Sequence, residues 1–422
     1  MKKILLLFVL FICCSTTLVE FNAQAQDALN FSPERLDRII PAMDDYIAQG
    51  HVTGCVTMLI ANDKTVHYEA RGLMDRENNV PMRKDAIVRI ASMSKPVTVT
   101  AAMILYEEGK FLLDDPLSRY IPEFANPTRI AEKKNSSGEI SYEIVPADTE
   151  ITIRHLMNHT SGLTYGGGPL KEYYEKAGIS SGLAATNGVI GDTVQKLAKL
   201  PLMHNPGEQW SYGLSNDVLG YLIEMWSGRT LEEFMRDRIF KPLKMPDTSF
   251  YPDEKSFDRL ATIYHGRNGE LIRQTDSERD AVLKGPRAYY SGGAGLFSTA
   301  LDYSRFARML LNKGELDGER ILSPNSVKLM TSDSTGGIEI LEGSGHIKAT
   351  HGDRYGLGLG IQAHPGDIHS IGAYGWGGAF NTFMWIDPEE DIVGIFMSQV
   401  LGQPDKTQHR IFRILSYSAI EN

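Results

Sequence analysis

Arg89-Ile90-Ala91-Ser92-Met93-Ser94-Lys95 is the stretch on which the reading of the fold turns. It joins an apolar, strand-like run, Ile87 to Ile90, to a helix expected from about Met93 to Glu108 and ended by Gly109. Ser92 and Lys95 form the chain's one S-x-x-K. Residues three apart on a helix share a face, so the Lys95 amine can approach the Ser92 hydroxyl. A serine at a helix start also lies near free backbone N–H groups and the positive end of the helix dipole, which suits an oxyanion. So short a motif also arises by chance, and taken alone it leaves a helix-capping serine as open as a nucleophile.

Working outward, Ser32-Pro33-Glu34 starts a helix, and Leu36, Ile39, Ile40, Met43 and Ile47 recur at helical spacing up to Gly50. Residues 54–61 and 65–72 read as a hairpin about Asn62-Asp63. From 111 to 285, helical patches near 153–158, 193–199, 217–226 and 231–239 alternate with Pro- and Gly-rich connections. Two connections, 125–150 and 164–192, are long enough to serve as lids or cleft walls. Beyond them, Thr299 to Asp302 caps a helix that runs to about Asn312. Strands are expected near 355–362, 380–387 and 391–399, then a closing helix through Ile411, Ile414 and Leu415. Strands at both ends of the chain predict an α/β fold with one sheet drawn from both termini. The α/β part covers about 30–110 and 286–420, and a mainly helical insert covers about 111–285.

The chain has 422 residues, 42% hydrophobic and 23% charged, an ordinary globular composition. A net charge of −10 without a basic run argues against nucleic acid and anionic membrane surfaces as partners. Residues 1–25 read as a signal peptide: Lys2 and Lys3, the apolar run Ile4 to Cys14, then Ala23-Gln24-Ala25. Cleavage after Ala25 would leave an exported, periplasmic or secreted protein of residues 26–422 without a membrane span. Cys13 and Cys14 would leave with that segment. Cys55, alone in an apolar β-like run, reads as a buried small hydrophobe.

Other motifs carry less. His155 and His159 are four apart, but no acidic ligand is interleaved, so structural histidines are favoured over a metal site. Gly178-Ile179-Ser180-Ser181-Gly182 fits G-x-S-x-G, yet no apolar strand feeds it, and it reads as a glycine-rich loop.

Further strings change the weight of S-x-x-K. They are Leu113-Asp114-Asp115-Pro116-Leu117, Ile153-Arg154-His155-Leu156-Met157-Asn158-His159-Thr160-Ser161-Gly162-Leu163, and Pro206-Gly207-Glu208-Gln209-Trp210-Ser211-Tyr212. Gly292-Gly293-Ala294-Gly295-Leu296-Phe297-Ser298-Thr299 and Gly375-Trp376-Gly377-Gly378 complete the set. Jointly and in this order the chain resembles the serine β-lactamase superfamily. Within it, the likeness is to class C β-lactamases, D-alanyl-D-alanine carboxypeptidases and, most of all, the β-lactamase-fold family VIII esterases.

The resemblance implies a β-lactamase/transpeptidase-like fold, an antiparallel sheet flanked by helices, and acyl transfer through an ester on Ser92. It implies Lys95 and Tyr212 as the proton network, backbone N–H groups of Ser92 and Ala379 as the oxyanion hole, and no metal or organic cofactor. Two departures bear on substrate. Leu214 stands where class C enzymes carry an amide, and Trp376-Gly377-Gly378 stands where they carry K-T-G. Leu214, Trp376, Gly377 and Gly378 are therefore expected to line the substrate pocket. The expected activity is a carboxylesterase on short acyl esters, with a D-amino-acid peptidase or weak β-lactamase as the alternative. The substrate is a small ester or amide; the sequence sets no oligomeric state.

Overall fold

A computed structural model describes residues 30–184, 186–338, 340, 353–402 and 407–421. The expected signal segment lies outside them. An eight-stranded, fully antiparallel sheet forms the centre. Its strands are β1 (Gly54–Ala61), β2 (Lys64–Asp75), β3 (Val80–Pro81), β4 (Arg354–Tyr355), β5 (Gly360–Ile361), β6 (Tyr374–Gly378), β7 (Thr382–Asp387) and β8 (Ile392–Met397). The order across the sheet is β4-β5-β6-β7-β8-β1-β2-β3. The first and last parts of the chain thus meet where β1 pairs with β8, Met58 opposite Ile395.

Both faces of this sheet are covered, which explains why β1 is buried throughout and apolar but for Thr57 instead of alternating. Val56, Met58 and Ile60 point into the main core, while Cys55, Leu59 and Ala61 pack on the opposite face against Phe396, Phe412 and Ile39. Helices Ile39–Ala48 and Gln408–Ser418 cover that second face. Burial pushes the Cys55 thiol up to about 12, as befits a packing residue rather than a nucleophile. Gly394 of β8 is required by packing: a Cβ there would lie 2.1 Å from the Trp385 ring.

The main core surrounds helix α1 (Ser94–Glu107), whose residues 94 to 105 are all buried. Beside it lie α2 (Ser215–Ser227) and α3 (Ala300–Leu311). The segment 111–285 supplies short helices, and the two long connections expected as lids or cleft walls carry regular structure of their own. Thr128–Lys134 and Ile140–Pro146 form an antiparallel hairpin, largely exposed, with Ile130 opposite Ile144. The stretch 164–192 carries a helix, Lys171–Ala177, ended by Gly178 at φ 63. Among the described residues no helix is long and apolar enough to cross a membrane.

Candidate active site

Val88–Arg89 pairs with Phe297–Ser298, and this short ladder delivers the chain to a tight turn, Ala91–Met93, directly before α1. Ala91 has φ 43, a left-handed conformation that is costly for a residue with a Cβ. Its neighbours hold it there. The Leu296 N–H donates to Ser94 Oγ (3.1 Å), and Tyr303 OH donates to the Met93 carbonyl (2.8 Å). On the other side, β6 abuts the turn so closely that a Cβ on Gly378 would lie 2.3 Å from the Ile90 oxygen. Glycine at 378 is thus what lets the strand end reach the start of α1.

Ser92 and Lys95 are both buried. The Lys95 ammonium has three N–H groups. They go to Ser92 Oγ (3.2 Å), Tyr165 OH (3.1 Å) and the Gly293 carbonyl (2.8 Å). The Tyr212 ring centroid is 4.5 Å from Nζ. Burial by itself would drive this group toward the neutral amine. The Tyr165 and Tyr212 oxygens outweigh it, and the pKa rises above the ordinary lysine value. This direction favours the ammonium form of Lys95.

Behind Lys95 sits Asp217, fully buried on α2. A Cβ on Gly293 would lie 2.7 Å from Asp217 Oδ2 and 3.6 Å from Lys95 Nζ, so carboxylate and ammonium flank the same glycine. Ser291 Oγ donates to Asp217 Oδ1 at 2.6 Å. Burial raises the Asp217 carboxyl to about 6, against the opposing pull of the Ser291 hydroxyl and the Lys95 charge.

Tyr212 is set in an aromatic cluster with Trp210, Tyr355 and Trp376. Trp376 Nε1 donates to Tyr212 OH at 3.3 Å. His159 packs 4.9 Å from the Tyr212 ring and faces the Asn216 amide through Nε2. Burial and the Lys95 charge push His159 well below the usual imidazole value, so it is neutral.

The structure thus brings Ser92, Lys95 and Tyr212 together, with Gly378 against the turn that carries Ser92 and Gly377 beside Phe383. It corrects two expected pocket residues. Leu214 is 1% exposed and packs in the main core, so it offers a substrate no surface. Trp376 is 2% exposed, and its indole is spent on Tyr212 rather than on a pocket wall. Tyr165 and Asp217 were not singled out from the sequence. Tyr165 lies two residues after the H-T-S-G-L string, and Asp217 lies five residues after Tyr212; only three-dimensional contact reveals either. His155 Nδ1 accepts from the Thr152 N–H as part of a helix cap, and His159 lies past that helix at φ 61, so the two do not form a chelating pair. No metal-ligating cluster occurs among the described residues. Ser180 accepts from Gly182 N–H (3.2 Å) and Thr186 Oγ1 (2.9 Å) within a loop, not at a strand-to-helix elbow.

A buried serine hydroxyl that receives a hydrogen bond from a lysine one helical turn on, beneath a tyrosine, on an antiparallel sheet flanked by helices, defines a class: the serine hydrolases of the β-lactamase fold. The chain belongs to the beta-lactamase family, whose model matches residues 36–418. Protein Rv1367c of Mycobacterium tuberculosis is 34% identical over 363 residues, which cover 83% of this chain and 86% of that protein. Esterase EstB of Burkholderia gladioli is 29% identical over 377 residues, covering 84% and 86%. Among solved structures, EstCE1, a hydrolase with promiscuous acyltransferase activity, matches with a TM-score of 0.76 at 26% identity over 91% of this chain and 99% of its own. The chain is a serine hydrolase of this superfamily.

Proposed function

We propose that the protein is a carboxylesterase for short acyl esters, working through an acyl ester on Ser92. The observation that carries this reading is the full set of acceptors around Lys95. An ammonium with three N–H groups on three oxygens has no lone pair for the Ser92 proton. The acceptor is then Tyr212 Oη. Trp376 Nε1 donates a hydrogen bond to that oxygen and fixes its position. Ser92 Oγ attacks the ester carbonyl, its proton passes to Tyr212, and the tetrahedral oxyanion meets the N–H groups of Ser92 and Ala379. The alcohol leaves with the proton, and water then cleaves the acyl ester by the same route.

Substrate class follows from β6. Its Trp376-Gly377-Gly378 run presents no cation where a β-lactam carboxylate would need one, so the desolvation cost of that carboxylate goes uncompensated. A short neutral ester has no such charge. The esterase name of the Burkholderia relative points the same way. We further propose, from the basic–apolar–small pattern of residues 2–25, that the enzyme is exported and acts outside the cytoplasm. Turnover of p-nitrophenyl butyrate against a chromogenic cephalosporin tests the substrate class. The expected kcat/KM ratio is at least about tenfold in favour of the ester, or about 1.4 kcal/mol of transition-state stabilisation. Efficient cephalosporin hydrolysis with negligible ester turnover would overturn it in favour of a β-lactamase or D-amino-acid peptidase.

A further inference from the structure

Arg89 lies three residues before Ser92 and is only 7% exposed. Its guanidinium donates to the Leu183 carbonyl (2.7 Å) and stacks over Phe380 at 4.8 Å. It enters no ion pair among the described residues. A buried cation without an anion costs several kcal/mol, and a guanidinium keeps its charge under such burial. Arg89 lines a small pocket of about 30 Å³ with Thr186, Tyr251, Arg287 and Ser291. No carboxylate lines it. Arg287 is half-buried, held through Nε on the Leu283 carbonyl (2.7 Å), and it too enters no ion pair among the described residues. The glycine-rich loop through Gly182, the G-x-S-x-G string with no part in the chemistry, forms one wall.

Arg89, Val282 and Phe297 are shared with a second, larger cavity of about 330 Å³. That volume is at the small end of the range for ligand sites, about 300–1,000 Å³. Met74, Val80, Ile87 and Leu283 make its interior largely apolar. The other cations on its rim are already neutralised: Arg273 by Asp75 and Asp276, Arg279 by Asp276 and Asp280, Lys284 by Asp280. Neither cavity is lined by Ser92, Lys95 or Tyr212. Ala91, Ile263, Ala379 and Phe380 form a separate apolar cluster beside the catalytic turn, and Phe380 carries the Arg89 guanidinium on its other flank.

We propose that the two adjoining cavities form one binding site for an amphiphilic carboxylic acid, its carboxylate between Arg89 and Arg287 and its alkyl chain in the larger cavity. Two guanidiniums outside any ion pair among the described residues, with Asp253 the acidic neighbour of Arg287, match a carboxylate by charge and by planar geometry. The apolar cavity takes a medium-length chain. The site is distinct from the acyl cleft at Ser92 and does not depend on the esterase reading.

Calorimetric titration of the full chain with sodium octanoate and with 1-octanol tests this. Octanoate should bind at one saturable site at least about tenfold more tightly than octanol. That binding should persist after Ser92 is blocked with a small methylphosphonate. Arg89→Gln should weaken octanoate about tenfold or more. Should that variant not fold, Arg287→Asn, at a half-exposed position, should weaken octanoate about tenfold, leave octanol unchanged and keep ester turnover within about twofold. Ala261→Phe, which fills the larger cavity, should remove binding of both ligands. Absent octanoate binding, equal binding of octanol and octanoate, loss of binding on blocking Ser92, or indifference to Arg287→Asn and Ala261→Phe would each overturn the proposal.

Discussion

Two buried cations flank Ser92, and they are opposites. Lys95 has an oxygen on every N–H, and the Tyr165 and Tyr212 oxygens carry its pKa upward despite complete burial. Arg89 has one carbonyl and two aromatic faces, and burial takes its pKa down to about 10. The same penalty acts on both, and only the acceptors differ. A saturated cation is finished machinery, poised to stabilise charge that develops beside it. An unsaturated one can take the counter-charge of the carboxylate proposed above.

The sharpest way to break that contrast is to remove the saturated partner. Lys95→Ala and Tyr212→Phe are each expected to lower kcat/KM by about 10³-fold or more, roughly 4 kcal/mol. The double variant should lose little beyond the worse single, because groups sharing one proton path are not additive. Losses that multiply would show that the two act independently.

A middle-sized effect should follow from the groups that hold the pair. Tyr165→Phe removes one of the three Lys95 acceptors, and Trp376→Phe removes the donor to Tyr212. Each is expected to cost about ten- to a hundredfold in kcat with KM within a few-fold. A change confined to KM for Trp376→Phe would restore its expected place as a pocket wall.

How much of this was legible in the sequence depends on what each residue touches. Ser92 and Lys95 are one helical turn apart, so local periodicity alone places them together. Tyr212 could be reached through the strings around it. Tyr165 and Asp217 could not, because their partners lie 70 and 74 residues away along the chain. Leu214 and Trp376 were placed near the right site but facing the wrong way: residue type does not say whether an apolar side chain lines a cleft or the core behind it. Gly213 explains part of that turn, since a Cβ there would lie 2.3 Å from the Leu163 carbonyl. The sheet was readable where burial imposes continuous apolar runs, as in β1 and β8. The exposed hairpin at 128–146 was not read, although Ile140, Tyr142 and Ile144 alternate with Ser141 and Glu143. Solvent on both sides leaves no core to confirm such a pattern.

The smallest expected effect concerns Asp217, on the Lys95 side of the comparison. Its carboxyl protonates at about 6 in the folded protein, above the ordinary aspartate value near 3.9. The native state therefore binds this proton more readily than the unfolded chain. Its contribution to stability is fully present below about pH 4 and is lost as pH rises through about 6. Asp217→Asn keeps an acceptor for Ser291 and removes the buried charge. Its Tm relative to the parent protein should be higher at pH 8 than at pH 4. An unchanged difference across that range would mean that Asp217 titrates as an ordinary aspartate.

The central claim is that Ser92, with Lys95 as cation, takes the acyl group. Quenching the enzyme during p-nitrophenyl butyrate turnover and locating the butyryl group by peptide mass spectrometry tests it most directly. The account predicts the adduct on the peptide that carries Ser92. It should be absent in Ser92→Ala and retained in Ser180→Ala, with turnover of the latter within a few-fold of the parent. An adduct on Ser180, or turnover that survives Ser92→Ala, would contradict it.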